Sequence, residues 1–215
     1  MKTYPLFLVN LDQRRCVVVG GGRVAARKVS SLRRADADVV VIAPELEPRL
    51  LQWVNAGDVE WVARAYRSGD LEDAFIVIAA TDDPAINERV WGEAEERGLL
   101  VNVVDDPAHC NFIAPSVVRR GPLTLAISTS GCCPALSRHV RMTLEETFGP
   151  TYADYVALLG ELREETMDDL SMDERRALWQ DVFGSDVLPL FASGDEEGAR
   201  RLARDILSSH LPQRS

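Results

Sequence analysis

The sequence predicts an α/β fold: a doubly wound parallel sheet first, then a small α+β segment, then a helical C-terminal region. Three observations predict it. Short β-branched runs alternate with amphipathic helical patterns through about the first 105 residues, the rhythm of a parallel sheet covered by helices. A glycine-rich turn stands directly between the first run and the first helical pattern. Beyond it the rhythm stops: one more apolar run, Leu123 to Ser128, is followed by helical patterns alone. The expected divisions are 1–112, 113–148 and 149–215.

Each element has its own signal. Cys16-Val17-Val18-Val19 is a short apolar strand that ends in Gly20-Gly21-Gly22. Val24, Ala25, Val29 and Leu32 then form one face of a helix. Val39 to Ile42 is a second strand, stopped by Pro44, and Leu46 to Asn55 a helix terminated at Ala56-Gly57. Val59 to Val62 alternates as a third strand. Phe75 to Ala80 is apolar throughout and so central. Ala85 to Arg97 is a helix closed by Gly98, and Leu100 to Val104 a fifth strand. Farther on, Tyr152 to Met167, Asp173 to Phe183 and Glu196 to Ser208 read as helices, with Ser171 and Glu174 as a capping box for the middle one.

Bulk properties exclude several classes. No apolar run reaches the roughly 18 residues of a membrane span. The N-terminus lacks a signal-peptide pattern, so the expected location is the cytoplasm, with no membrane partner. A net charge of −10 argues against nucleic acid as a partner. Cys16, Cys110, Cys132 and Cys133 form no CxxC pair, and with His109 and His139 they match no closed zinc spacing, so no metal site is expected. The charge is uneven. From Pro107 to Leu144 there is no Asp or Glu, while Arg119, Arg120, Arg138 and Arg141 are present. Two readings suit that stretch: a local anion site, or arginines that are solvated or paired with acids elsewhere.

The glycine turn carries the clearest chemistry. In Gly20-Gly21-Gly22-Arg23-Val24-Ala25, Gly20 permits a tight turn and Gly22 lets the backbone approach a pyrophosphate. Ala25 stands in for the third glycine, where the helix packs on the sheet. The helix N-terminus, with Arg23 and Val24 in its first turn, offers free N–H groups and a partial positive charge to phosphates. An acid that holds the adenosine ribose stands about 20 residues on. Here that strand ends Ile42-Ala43-Pro44, and the first acid is Glu45. Glu45 suits a ribose contact or a first-turn helix charge equally. No Arg at 43 or 44 greets a 2′-phosphate, so the expected cofactor is NAD. Thr81 and Asp82, at the carboxyl end of the fourth strand, are expected to line it, although the helix-starting role read for Asp83, before Pro84, also explains Asp82.

Four segments taken together resemble one family. Gly20 to Lys28, Ala80-Thr81-Asp82-Asp83, Asn102-Val103-Val104-Asp105 and Phe112-Ile113-Ala114-Pro115-Ser116 are similar to the precorrin-2 dehydrogenase family, which includes the N-terminal module of sirohaem synthase and its stand-alone relatives. The resemblance runs from about Pro5 to Leu144. It implies a Rossmann domain, a dimerisation domain and helices, in a homodimer. It implies NAD-dependent oxidation of precorrin-2 to sirohydrochlorin, and in some members insertion of ferrous iron at the same site. The family's key aspartate falls on Asp105, and its substrate loop on Ser128-Thr129-Ser130-Gly131-Cys132-Cys133-Pro134, with Asn102, His109, Arg138 and Arg141 as further expected substrate contacts. Cys133 stands where members carry a serine. A chain of 215 residues leaves no room for a methyltransferase-like domain, so a separate uroporphyrinogen methyltransferase is the expected supplier of substrate.

The residues themselves agree at one point. The acid-free, arginine-bearing stretch contains the loop, and a macrocycle bearing carboxylates needs such a surface. Asp105 is expected beside the nicotinamide, partly buried, as the proton acceptor. Asp105-Asp106-Pro107 is equally good turn chemistry. Two other classes stay open: a chelatase alone, and a non-catalytic module that binds NAD or tetrapyrrole.

Overall fold

The computed structural model describes residues 2–167 and 169–211. The end of the expected helical region, 212–215, lies outside the described residues. The chain forms two compact units, Met1–Ala114 and Pro115–Ser215, each with its own core.

The first unit is built on five parallel strands: β1 (Arg15–Val19), β2 (Asp38–Ile42), β3 (Glu60–Val62), β4 (Ile76–Ala79) and β5 (Leu100–Val103). Their spatial order is β3-β2-β1-β4-β5, so the chain reverses direction across the sheet between β1 and β4. Alternate side chains point to opposite faces. Cys16 and Val18 therefore join the core under α1 (Arg23–Arg33) and α2 (Pro48–Asn55), with Ala25, Ala26, Val29 and Leu50. Val17 and Val19 join the other core, under α3 (Pro84–Glu96), with Val90 and Ala94. β1 and β4 are buried on both faces, which is why both read as continuous apolar runs. Leu50 is fully buried, so truncation to Ala would cost about 2–5 kcal/mol. α2 begins at Pro48, not at Leu46. Proline suits the first helical position because its missing N–H is not needed there, and Glu47 is drawn instead to the glycine turn, its N–H donating to the Gly21 carbonyl at 2.8 Å.

The second unit opens with an antiparallel hairpin, β6 (Ser116–Arg120) and β7 (Leu123–Ile127), followed by α4 (Pro134–Thr147). Then come α5 (Tyr152–Thr166), α6 (Met172–Gly184), α7 (Val187–Ser193) and α8 (Glu196–His210). Leu158, Leu162, Leu178, Val182, Phe191, Ala199 and Ala203 form their shared core. The Ser171–Glu174 capping box starts α6 as the spacing foretold. Two elements escaped the sequence reading. β6 ends in two arginines and hides its alternation. α7 has seven residues and holds Pro189 in its first turn, too short for a helical period to show. Among the described residues no helix is long and apolar enough to cross a membrane.

Candidate functional site

Three consecutive glycines at the end of β1 meet three different environments. Gly20 has φ +122°, and a Cβ there would stand 2.2 Å from the Ala80 carbonyl oxygen, so the end of β4 excludes any side chain. Gly21 would place a Cβ 1.8 Å from the Glu45 carbonyl oxygen. Sequence reasoning had given that middle glycine no role. Gly22 faces open space, with no atom within 4 Å of a built Cβ. It is also the N-cap of α1, and no side chain caps that helix or adds an acid to its first turn. Crowded glycines shape the turn, and the open one leaves an uncapped, dipole-positive helix end beside Arg23 and Val24, both exposed. That arrangement fits the phosphates of a dinucleotide. Ala25 is fully buried and serves helix–sheet packing.

The rim of this turn comes from the ends of β2 and β4. Pro44 and Glu45 are exposed. The Trp61 indole donates to the Ala43 carbonyl at 2.9 Å and fixes the chain just before them. At the end of β4, the Thr81 hydroxyl donates to Asn87 Oδ1 at 2.8 Å, and the Asn87 amide returns a bond to the Thr81 carbonyl at 3.0 Å. Asp83 caps α3 by accepting from Ala85 and Ile86. The helix-starting role therefore belongs to Asp83, and Asp82 stays exposed beside the turn. Asn87, unmarked in the sequence, is what locks this loop.

The end of β5 separates two adjacent aspartates. Asp106 accepts from the Ala108 N–H at 3.2 Å, starting the 3₁₀ turn Pro107–His109, and its other oxygen lies 2.6 Å from His109 Nδ1. The His109 contact holds the Asp106 carboxyl below the usual carboxylate range. The His109 ring packs edge-on against Trp91. The turn chemistry read from Asp105-Asp106-Pro107 thus falls to Asp106. Asp105 stands at φ +60°, a backbone region that Asp tolerates better than most residues, and its side chain is exposed. The partial burial expected for it is not observed in this chain, because the residue sits at the outer tip of the turn. Asn102, an expected substrate contact, is 7% exposed. It accepts from Lys28 Nζ at 3.1 Å and donates toward Cys110 Sγ at 3.4 Å and to the Phe112 carbonyl at 3.2 Å. Lys28, named in the sequence only as the end of the Gly20–Lys28 segment, is half-buried, and burial pushes its ammonium below the usual range, against the opposing pull of the Asp105 charge.

In the second unit the loop from Ser128 to Pro134 folds around Thr129. Its hydroxyl accepts from the Cys133 N–H at 3.1 Å and from Ser137 Oγ at 3.2 Å, and its carbonyl accepts from the Cys132 N–H at 2.9 Å. Ser130 and Gly131 are both left-handed, with φ of 53° and 81°. Pro134 opens α4. Cys132 and Cys133 are exposed and free, and among the described residues no group of three potential ligands could hold a metal ion. The nearby arginines divide. Arg120 donates to the carbonyls of Phe148 at 2.7 Å and Glu145 at 3.1 Å, holding the end of α4. Arg141 pairs with Glu145, an acid just beyond the acid-free stretch. Arg119 and Arg138 remain exposed.

Three family models tile the chain: an NAD(P)-binding family over residues 7–116, the sirohaem biosynthesis protein central region over 120–147, and the sirohaem synthase dimerisation region over 151–207. A siroheme synthase of Methylobacillus flagellatus is 42% identical over 97% of this chain and 44% of its own length. One from Serratia proteamaculans is 40% identical over 96% of this chain and 44% of its own length. The chain thus spans less than half the length of these curated relatives. Among solved structures, "SirC, precorrin-2 dehydrogenase" superposes with a TM-score of 0.80 at 25% identity, over 96% of this chain and all of that one. The first unit is an NAD(P)-binding Rossmann domain.

Proposed function

The chain belongs to the family of precorrin-2 dehydrogenases and sirohaem synthases, and on that premise we propose that it oxidises precorrin-2 to sirohydrochlorin with NAD. The observation that carries the chemistry is the division of labour at the end of β5. Asp106 takes the turn and the histidine, and Asp105 keeps an exposed carboxylate with no structural duty at the carboxyl edge of the sheet. In doubly wound sheets that edge, near the point where strand order reverses, is where ligands bind.

In this reading Gly20, Gly22, Arg23, Val24 and the end of Ala25's helix hold the pyrophosphate. Pro44 and Glu45 face the adenosine ribose, while Thr81 and Asp82 line the remainder. Exposed Glu45 disfavours a 2′-phosphate by like charge, and neither Ala43 nor Pro44 offers a cation, which supports NAD over NADP. The bound nicotinamide supplies the acceptor for the hydride that leaves the macrocycle. Asp105 takes the accompanying proton, so hydride and proton together account for the two-electron oxidation. In the second unit Ser128, Thr129, Ser130, Gly131 and Pro134 contact the substrate and Arg138 and Arg141 meet the carboxylates of the macrocycle, and in the first unit Asn102 and His109 are separate substrate contacts. A homodimer is supported by the match of residues 151–207 to a dimerisation region. In the same proposal a uroporphyrinogen methyltransferase supplies the substrate, and ferrous iron is a second substrate where chelation also occurs.

Anaerobic incubation with precorrin-2, followed by absorption spectra, tests this with and without NAD, NADP and ferrous iron. Sirohydrochlorin should form with NAD and form more slowly with NADP. Asp105→Asn should keep the fold and NAD affinity and lose at least about a hundredfold in rate, the scale of general-base removal. If iron insertion occurs at the same site, the same change slows it as well, because pyrrole protons must leave there too. Full activity in Asp105→Asn would assign the base elsewhere, with Asp82 and His109 next.

A further inference from the structure

The geometry points to Lys28, acting through Asn102 and Cys110, as the positioning residue that braces the turn presenting Asp105. This inference rests on the dehydrogenase reading of Asp105, and it concerns residues to which that reading gives no such task.

The brace is continuous. Lys28 leaves the sheet-facing side of α1 and its ammonium donates to Asn102 Oδ1 at 3.1 Å, across 74 residues of sequence. The Asn102 amide nitrogen reaches the Phe112 carbonyl at 3.2 Å and Cys110 Sγ at 3.4 Å. Cys110 Sγ then accepts from the Val103 N–H at 3.2 Å and lies 3.2 Å from both the Val103 and Asp106 carbonyl oxygens. Both ends of the segment 103–106 are therefore gripped by one thiol, and Asp105 sits between them at φ +60°. A non-glycine residue persists in that region when its surroundings over-determine it, and a short turn held at both ends provides that. An antiparallel bridge between Asn102 and Cys110 adds a backbone tie.

Lys28 is an unusual choice for a purely structural anchor. A partly buried ammonium carries a desolvation penalty that a neutral donor would avoid. The titratable groups around it are Arg27 on its own helix and, from the β5 side, the Cys110 thiol and Asp105; Asp106 is engaged with His109. Arg27 opposes the charge, and Asp105 favours it. Lys28 thus brings a positive charge toward Asp105 as well as a hydrogen bond to the scaffold that presents it.

The test compares Lys28→Met, which keeps the apolar stem and removes the charge, with Lys28→Arg, which keeps the charge. Lys28→Met should lower kcat roughly tenfold, the scale of a misplaced catalytic group, while NAD affinity and KM stay near wild type. Lys28→Arg should restore part of kcat. A second readout needs no turnover: alkylation of Cys110 by iodoacetamide, followed by peptide mass spectrometry, should be several-fold faster in Lys28→Met because the brace is open. Wild-type kcat in a folded Lys28→Met protein would overturn the proposal, as would a loss confined to NAD affinity. If wild-type protein itself fails to oxidise precorrin-2, the functional reading falls, and the alkylation comparison still decides the brace: unchanged Cys110 reactivity overturns it. If Lys28→Met does not fold, Lys28→Gln, which also removes the charge, takes its place in the alkylation and kcat comparisons, and wild-type values in both overturn it.

Discussion

The carboxyl edge of the parallel sheet and the Ser128–Pro134 loop were both marked in the sequence, but by different kinds of signal. At the sheet edge the signal is backbone chemistry. Glycines stand where Ala80 and Glu45 leave no room for a Cβ, and an open helix end follows them. Such a requirement is local, so a strand–glycine–helix order in the sequence reports it faithfully. At the loop, which the resemblance placed, the residues' own signal was composition: arginines without acids. That signal counts side chains and says nothing of where they go. Two of those arginines are engaged within the chain, Arg120 with the carbonyls closing α4 and Arg141 with Glu145 one turn on along the helix. The comparison teaches that a backbone motif identifies a site more securely than a charge count does.

The sharpest way to break this contrast lies within the glycine turn. Gly22→Asp adds its carboxylate to open space, so the protein should fold with unchanged thermal stability. NAD binding should be abolished, because a negative charge then stands where the pyrophosphate must come. Unchanged affinity by calorimetry in the folded variant would remove the phosphate-site assignment. Gly21→Ala should do the reverse. Its methyl group would overlap the Glu45 carbonyl, so stability should fall by roughly 1–3 kcal/mol, the usual scale of overpacking. Equal thermal stability of the two variants would show that the turn relaxes freely.

A smaller effect separates the arginines. Arg138→Ala should weaken substrate binding roughly tenfold or more, as for loss of one charge-assisted hydrogen bond, with little change in NAD affinity. The loss should grow at low salt, where screening is weaker. Arg141→Ala should follow the same pattern with a smaller loss, since its guanidinium is shared with Glu145. Arg120→Ala should instead lower thermal stability by releasing the end of α4. Equal losses of substrate and NAD affinity in Arg138→Ala would return that residue to the fold.

What could be read from the sequence follows the same division. β1, β2, β4 and β5 were legible because strands buried on both faces need unbroken apolar runs. β6 was not, since a hairpin strand ending Arg119-Arg120 shows its pairing only beside β7. Gly20 and Gly22 were legible, but Gly21 was not, because its constraint comes from Glu45, a residue more than 20 positions away whose path depends on the sheet. Asp105 was legible as the expected proton acceptor, with turn chemistry at Asp105-Asp106-Pro107 as the competing reading. Its separation from Asp106 depends on a histidine contact and a left-handed backbone that composition does not record. Lys28 was marked only as the end of the Gly20–Lys28 segment, and its task was not legible, because a contact with Asn102, 74 residues away, is made by the fold and by no local pattern.

The smallest expected effect belongs to the most conspicuous residues of the loop, Cys132 and Cys133. Vicinal cysteines beside a proposed iron-handling site invite a metal assignment, but the loop is held by other groups. The Cys132 and Cys133 N–H groups are both taken by Thr129, through its carbonyl and its hydroxyl, and that hydroxyl also receives Ser137. Both cysteines are exposed and unpaired, and no third ligand joins them among the described residues. A Cys132→Ser, Cys133→Ser double variant therefore keeps every bond that shapes the loop. Its thermal stability should change by less than about 0.5 kcal/mol, as for exposed substitutions generally, and most of its dehydrogenase rate should remain. Thr129→Ala, a change at one residue, should do more: it removes the acceptor of two hydrogen bonds and frees the start of α4, so the loop's amide exchange should quicken and substrate affinity should fall. Elemental analysis decides the metal question directly. Stoichiometric zinc or iron in the wild-type protein that disappears from the double variant would make the pair a ligand set and reverse the expected ranking of these two variants.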